Sequence, residues 1–462
     1  MMTNHRLTTL CRRHHAVLLS NDEQILSIAI VGAPPKELMD SLRFMTQKRI
    51  DIECWDQPRM DQHRHTSQDT HLPAAHDDTG NVVELLNQTF QQALQQRASD
   101  IHFEPGDTVL RVRLRVDGVL HPLPDFSPTL SGPLIARLKV LGNLDIAERR
   151  LPQDGQFSVD IAGRNVSFRI ATLPCRGGEK VVLRLLHQVK QALDVTALGM
   201  NVSQLQTFHQ ALNQPQGLML VTGPTGSGKT VTLYSALQAR NRPEINLCSV
   251  EDPVEIPLDG INQTQINTRA GLTFQNVLRA MLRQDPDVVM VGEIRDAETA
   301  EIAIKAAQTG HLVLSTLHTN STTETLIRLQ QMGVARWMIS SALLLVIAQR
   351  LVRHLCPYCR AQDGEYDALP VTLWPSVLPH WRAKGCDRCY HGYHGRIALF
   401  EILAITPALK QAIVSGASPE EVEQLARASG MTTLFEHGCE AVTQGQTTVE
   451  ELLRVLGVPH GE

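Results

Sequence analysis

A chain of 462 residues holds two to four domains at about 150 residues each, so a single small module is excluded. With 42 % hydrophobic and 20 % charged residues it is neither collagen-like, coiled-coil nor largely disordered, and 4 % aromatics leave the cores mostly aliphatic. The net charge of -5 supplies no basic field for nucleic acid, and the longest apolar run, Ala342 to Ala348 with its flanks, falls short of the about 20 residues that span a bilayer. Cys, Arg and His occupy the amino-terminal stretch MMTNHRLTTLCRRHHAVLL where an export signal needs apolar residues, so the expectation is a cytoplasmic protein with nine reduced cysteines.

Residues 1–60 read as a small αβ domain, with strands near Ile25 to Val31 and Ile50 to Cys54 around a helix that Pro34 and Pro35 can start. Residues 61–81 are polar and read as a flexible linker reaching about 25 Å; metal binding by His63, His65, His71 and His76 is the alternative. Residues 82–193 read as an antiparallel α+β domain. It opens with a helix presenting Val83, Leu86, Phe90 and Leu94. Leu110, Val112, Leu114 and Val116 then alternate with arginines before an Asp117-Gly118 turn, Phe157 to Ile161 faces Val166 to Ile170 across Ala162-Gly163, and Glu179 to Leu186 adds a strand.

Residues 199–355 change pattern: GLMLVTG, INLCSV, DVVMVG and HLVLST are aliphatic runs ending beside polar residues or glycine, as in a parallel sheet covered on both faces. Residues 356–395 hold two C-x-x-C pairs. Residues 396–462 read as helical from about Phe400, with capping-box starts at Ser418 and Thr448 and helix ends at Gly430 and Gly457.

Gly223-Pro224-Thr225-Gly226-Ser227-Gly228-Lys229-Thr230 fits G-x-x-x-x-G-K-[ST] between a strand and a helix. There glycines let backbone N–H groups converge on phosphates, Lys229 neutralises them and Thr230 can hold Mg²⁺. Glu293 ends an aliphatic strand 64 residues after Lys229, where a carboxylate can orient or activate the attacking water. Glu251, Asp252 and Glu255 follow another strand and either hold Mg²⁺ through water or form a solvated turn. His311 and His318 bracket HLVLSTLH; a histidine at the carboxyl end of such a strand can sense a γ-phosphate. Arg279 and Arg283, four apart on one expected helix, and Arg295 suit a finger role or a solvated face. Cys356, Cys359, Cys386 and Cys389, two pairs separated by 26 residues, suit a closed structural Zn²⁺ site; a redox disulfide needs only one pair on a thioredoxin-like unit.

GPTGSGKT, SVEDPVE, RQDPDVVMVGEIRDAETAEIA, TGHLVLSTLHTN and the paired cysteines, in that order and with ASDIHFEP, RLPQDGQ and FRIATLP before them, resemble the secretion ATPase superfamily in its type IV pilus assembly and type II secretion branch. The resemblance implies a RecA-like domain behind the antiparallel one, in a homohexameric cytoplasmic ATP-driven motor acting on a polytopic inner-membrane platform protein. By position it implies phosphate and Mg²⁺ binding at Lys229 and Thr230, a catalytic acid at Glu293, an acidic box with Glu251, a γ-phosphate contact at His318 and an arginine set of Arg169, Arg184, Arg279, Arg283 and Arg295. Residues 14–62 resemble only the second half of the family's amino-terminal module. Retraction motors typically lack the cysteine insert, and a DNA-translocating motor is disfavoured by the charge, so the expectation is assembly of a pilus-like fibre, with type II secretion as the alternative.

Overall fold

In the computed structural model, residues 80–186, 193–366 and 374–457 are described throughout, together with Leu369 and parts of 11–56. The expected linker lies outside the described residues up to Gly80, and its four histidines lie outside them entirely. An amino-terminal sheet has β2 (Ile25–Val31) at its centre, antiparallel to β1 (Val17–Asn21) and parallel to β3 (Arg49–Trp55). The parallel pair matches the two expected strands. The extra strand β1 is short, and a bulge between Leu18 and Ser20 breaks its alternation.

The helix Gly80–Gln95 leads into six antiparallel strands: β4 (Ala98–Pro105), β5 (Leu110–Val116), β6 (Val119–Pro122), β7 (Gln153–Ile161), β8 (Arg164–Cys175) and β9 (Gly178–Leu186), in spatial order β6-β5-β4-β9-β8-β7. Alternation along β5 buries Leu110, Val112, Leu114 and Val116 beneath Gly80–Gln95 and the helix Ser131–Leu141, leaving Arg111, Arg113 and Arg115 on the open face. Asp117-Gly118 and Ala162-Gly163 close their hairpins with both residues left-handed. The first helix is turned slightly from the expected face: Val82, Leu86 and Phe90 make the buried stripe, and Val83 is exposed.

The remaining strands are β10 (Gly217–Thr222), β11 (Leu247–Glu251), β12 (Asn262–Gln265), β13 (Val288–Val291), β14 (Leu312–Leu317), β15 (Leu343–Leu355), β16 (Arg360–Tyr366), β17 (Leu378–Ala383) and β18 (Tyr393–Ala404). Apart from the β16–β17 hairpin they form one sheet, β12-β11-β13-β14-β10-β15-β18, parallel throughout except for β18. Both faces are covered: Leu218 and Leu220 pack towards Phe274–Met281, Ala297–Gln308 and Thr322–Gln331, while Met219 and Val221 pack towards Val202–Leu212 and Lys229–Arg240. The fold is thus mixed α/β about a parallel sheet.

The four expected aliphatic strands are β10, β11, β13 and β14. Within the longest apolar run, Ala342 ends the helix Arg336–Ala342 and Leu343 to Ala348 opens a fifth, β15. The carboxyl-terminal region is not helical from Phe400: β18 carries Phe400 to Ala404 back into the sheet, and helices start only at Pro407. Residues Leu399 to Leu403 are buried on both faces, so their pattern lacks the periodicity that separates strand from helix. Ser418 and Glu421 form a full capping box. Thr448 caps its helix in one direction only, because Glu451 is held by Arg353 and Arg454.

Candidate nucleotide and metal sites

The carboxyl ends of β10, β11, β13 and β14 converge on the loop Gly223 to Thr230. Gly223 and Gly228 have φ of 146° and 89°, and a Cβ on either would meet β15: 2.5 Å from the Gln349 carbonyl for Gly223, 2.8 Å from Gln349 Nε2 for Gly228. Glycine is therefore required both for backbone angle and for close approach. Pro224, Thr225 and Gly226 are exposed at the crown, while Ser227 Oγ is buried with no hydrogen-bond partner. Lys229 Nζ donates to the carbonyls of Gly223 (2.7 Å) and Pro224 (3.0 Å). Burial brings its ammonium pKa down to about 8; Glu293 acts to raise it and Arg350 to lower it further. The glycine cradle, the orphan hydroxyl and a cation released from carbonyls fit a polyphosphate at a helix amino terminus.

Glu293 follows β13 and lies largely buried between Arg295, which ion-pairs with Oε1, and His318, whose Nε2 is 3.4 Å from Oε2. His318 is at the carboxyl end of β14. His311 is at the opposite end, against the Ala306 carbonyl, away from the loop. Glu251, 3 % exposed, is fully engaged: Oε2 accepts a short hydrogen bond from Tyr234, and Oε1 accepts from Ser249 (2.5 Å) and Gln263 (3.1 Å). The acid that reaches the loop is Glu255. Enclosure by protein pushes its carboxyl pKa up, as does Glu251, while the nearby Thr230 hydroxyl and the Arg184 charge oppose the rise.

Arg184 on β9 faces Arg169 on β8 directly across the sheet, and its Nε donates to Asp100 Oδ1 at 2.9 Å. Its charge is near enough to act on the Glu255 carboxyl of the same chain. Arg169 lies 3.9 Å from Asp154, and Arg279 ion-pairs with Glu298 at 2.6 Å. The helix carrying Arg279 ends at Met281. Arg283 sits in the following turn, so the expected shared helix face for the two arginines is not formed. Beyond the expected residues, Tyr234, Gln349 and Arg350 belong to this site, and of the three acids expected after β11 it is Glu255 that lies towards the loop. Their signals are modest: Tyr234 is one residue of the helix after the loop, and Gln349-Arg350 is a polar pair that follows the apolar first half of β15.

The Sγ atoms of Cys356, Cys359, Cys386 and Cys389 lie within 4.8 Å of one another, with Cys356–Cys386 at 3.8 Å and Cys359–Cys389 at 3.6 Å. A tetrahedral Zn²⁺ with bonds of about 2.3 Å requires sulfur separations of about 3.8 Å, so the four residues fit the ion. The Cys386 amide donates to Cys389 Sγ, a knuckle-type contact that holds a thiolate. The β16–β17 hairpin lies between the two pairs in sequence, and Tyr390, just after the last cysteine, packs on the core of the antiparallel sheet.

A phosphate-binding loop on a parallel sheet, with a strand-end carboxylate whose charge acts on its lysine and a histidine against that carboxylate, defines a P-loop nucleoside triphosphatase. The family described as Type II/IV secretion system protein matches residues 75–454, and the chain belongs to it; it is an ATPase of the secretion class. It is 67 % identical over 457 residues to the "Protein transport protein HofB homolog" of Escherichia coli, covering 99 % of each chain. It is 44 % identical to the "Type IV pilus assembly ATPase PilB" of Pseudomonas aeruginosa over 95 % of this chain and 77 % of that one. With the "Type II secretion system ATPase E" of Vibrio cholerae it shares 47 % over 82 % and 76 %. Among solved structures, the pilus retraction motor PilT with bound ADP matches at TM-score 0.53 and 26 % identity, covering 80 % of this chain and 96 % of that one. Among the described residues no helix is long and apolar enough to cross a membrane.

Proposed function

We propose that the chain is a cytoplasmic, homohexameric motor whose ATP hydrolysis drives assembly of a type IV pilus-like fibre through a polytopic inner-membrane platform protein, without nucleic acid as a partner. The observation that carries the pilus reading is coverage: similarity to the pilus assembly ATPase extends over 95 % of the chain, against 82 % for the type II ATPase, and so reaches into the amino-terminal sheet. Near-equal identity to both keeps type II secretion as the second reading. The amino-terminal unit (1–60), linker (61–81), PAS-like unit (82–193), RecA-like unit (199–355), Zn²⁺-binding insert (356–395) and carboxyl-terminal region (396–462) are the proposed parts.

In this reading the amides of Gly223 to Gly228 and the Lys229 ammonium hold the β- and γ-phosphates, and Glu293 takes the proton of the attacking water or orients it. Thr230, and Glu255 through water with Glu251 buttressing it, would hold Mg²⁺, which when bound would neutralise charge on the β- and γ-phosphates. His318 contacts the γ-phosphate, and Arg184, Arg169 and Arg295, with Arg279 and Arg283 on the outer side, form the arginine set. Four cysteinates hold Zn²⁺ as a structural ion. Glu293→Gln should bind ATP without turning it over and Lys229→Ala should weaken both; hydrolysis at the unsubstituted rate by Glu293→Gln rejects the assignment. Deleting the gene and scoring surface fibres, secreted protein and DNA uptake in one strain separates the two systems.

A further inference from the structure

Arg350 is 7 % exposed, and among the described residues no carboxylate contacts it; Glu401 and Glu324 act on it only at a distance. Burying a cation in this way is costly, and a neutral side chain would serve strand β15 as well. Its hydrogen bonds show where it is used. Nη1 donates to the Gln349 carbonyl (3.0 Å), and Nη2 donates to both the carbonyl (3.0 Å) and Oδ1 (3.2 Å) of Asn320, two residues beyond His318. The same guanidinium lies beneath the phosphate-binding loop, where a Cβ on Gly223 would come within 3.1 Å of Nη1. On the other side of the loop's base, Thr222 Oγ1 accepts from the Thr319 amide at 2.8 Å. The segment 318–320 is thus pinned from two directions to the strands under Gly223.

We propose that Arg350 is a positioning residue that fixes the His318 loop against the base of the phosphate-binding loop, without touching nucleotide. This rests on the reading of His318 as a γ-phosphate contact. The test uses the full-length chain at one protein concentration, reading kcat, KM and the Kd of Mg-ADP. Arg350→Lys keeps the charge but lacks the planar fork; kcat should fall at least about tenfold while Mg-ADP affinity stays within about threefold. Asn320→Ala, at an exposed position, should show a smaller loss, and the double substitution should be no slower than Arg350→Lys alone, as for two residues acting through one contact. Unchanged kcat in Arg350→Lys, additive losses in the double variant, or affinity falling in step with kcat would each overturn the proposal. Should Arg350→Lys fail to fold, Asn320→Ala decides: turnover at the unsubstituted rate overturns it. His318→Ala separates the layers. Full turnover in that variant removes the γ-phosphate reading itself, whereas its loss beside an unimpaired Arg350→Lys removes only the positioning role.

Discussion

The parallel and antiparallel sheets both display charged residues, but they place them differently. In the parallel sheet the functional groups sit on loops past the strand ends, where Gly223 to Thr230, Glu293 and His318 meet because the strands run the same way. In the antiparallel sheet they sit on an open face: Asp100, Arg184 and Arg169 lie side by side in register across β4, β9 and β8. A site at strand ends is assembled by the topology of one sheet. A charged face does chemistry only when something is brought against it; here Arg184 is held by Asp100, and its charge acts on Glu255 of the same chain.

The sharpest way to break this comparison is to remove the face while sparing the loops. As a finger at the γ-phosphate, Arg184 is worth on the order of 10³ in turnover or more. As a sheet residue that only partners the buried Asp100, it would cost about 1–3 kcal/mol of stability and little turnover. Arg184→Ala should therefore abolish most ATPase activity at a temperature where the variant is still fully folded. Arg169→Ala, whose charge is turned towards Asp154, should cost less. Normal turnover in Arg184→Ala would return the open face to solvent.

The loop site has its own signature in pH. The Lys229 ammonium has its pKa brought down to about 8 from 10.5 by burial. Between those values the unfolded chain keeps a proton that the folded chain has released, so this group's contribution to folding stability rises with pH across the window. Phosphate binding runs the other way. Affinity for Mg-ATP should decline by up to about tenfold per pH unit above pH 8, with proton uptake on binding measurable by calorimetry in buffers of different ionisation enthalpy. Lys229→Arg, whose guanidinium stays charged, should flatten that decline; a flat profile in the unsubstituted protein would place the lysine elsewhere.

What the sequence made legible follows the same division. The phosphate-binding loop, the aliphatic strands and the cysteine pairs are local signals, since each needs only a short run of residues to specify its geometry. Less legible were contacts made across the sheet. Gln349 and Arg350 occupy the middle of a strand whose apolar start gives no hint that it passes beneath Gly223. The stretch Leu399 to Leu403 of β18 is buried on both faces and so carries no alternation. Arg283 was placed on a helix that stops two residues earlier, because helix ends depend on caps and packing more than on apolar spacing.

Loss of the cysteine cluster should have a smaller effect on turnover than loss of Arg184. Cys389→Ser removes one of four thiolates and should release Zn²⁺, loosening the β16–β17 hairpin, while the nucleotide loop stands on separate elements. Metal analysis should find less than one Zn²⁺ per chain, and limited proteolysis should cut within 356–395 with Mg-ADP affinity within about threefold of normal. Absence of zinc in unsubstituted protein purified without chelator would reject the site.

The finest distinction concerns Tyr234, which stands on the helix after the phosphate-binding loop and reaches the acidic turn. Its hydroxyl donates to Glu251 Oε2 and accepts from the Glu255 amide at 3.2 Å, so one atom joins the buried acid to the acid near Thr230. Burial, then the bond to Glu251 and its charge, push the phenol pKa up, so it remains a donor across the physiological range. Tyr234→Phe keeps the ring and its packing but leaves a buried carboxylate oxygen and an amide without this partner, a loss of about 1–3 kcal/mol. If the hydroxyl only fills the core, the thermal midpoint should fall while nucleotide binding is unchanged. If it sets the acidic turn, the Mg²⁺ concentration needed for half-maximal turnover should rise several-fold as well, because Glu255 loses its bracing beside Thr230. Ser249→Ala is the matched control: it removes a different donor from the same carboxylate without touching Glu255, and it should lower stability while leaving the Mg²⁺ requirement as it was. A shift in the Mg²⁺ requirement shared equally by both variants would mean that Glu251, rather than the Tyr234 bridge, controls the turn.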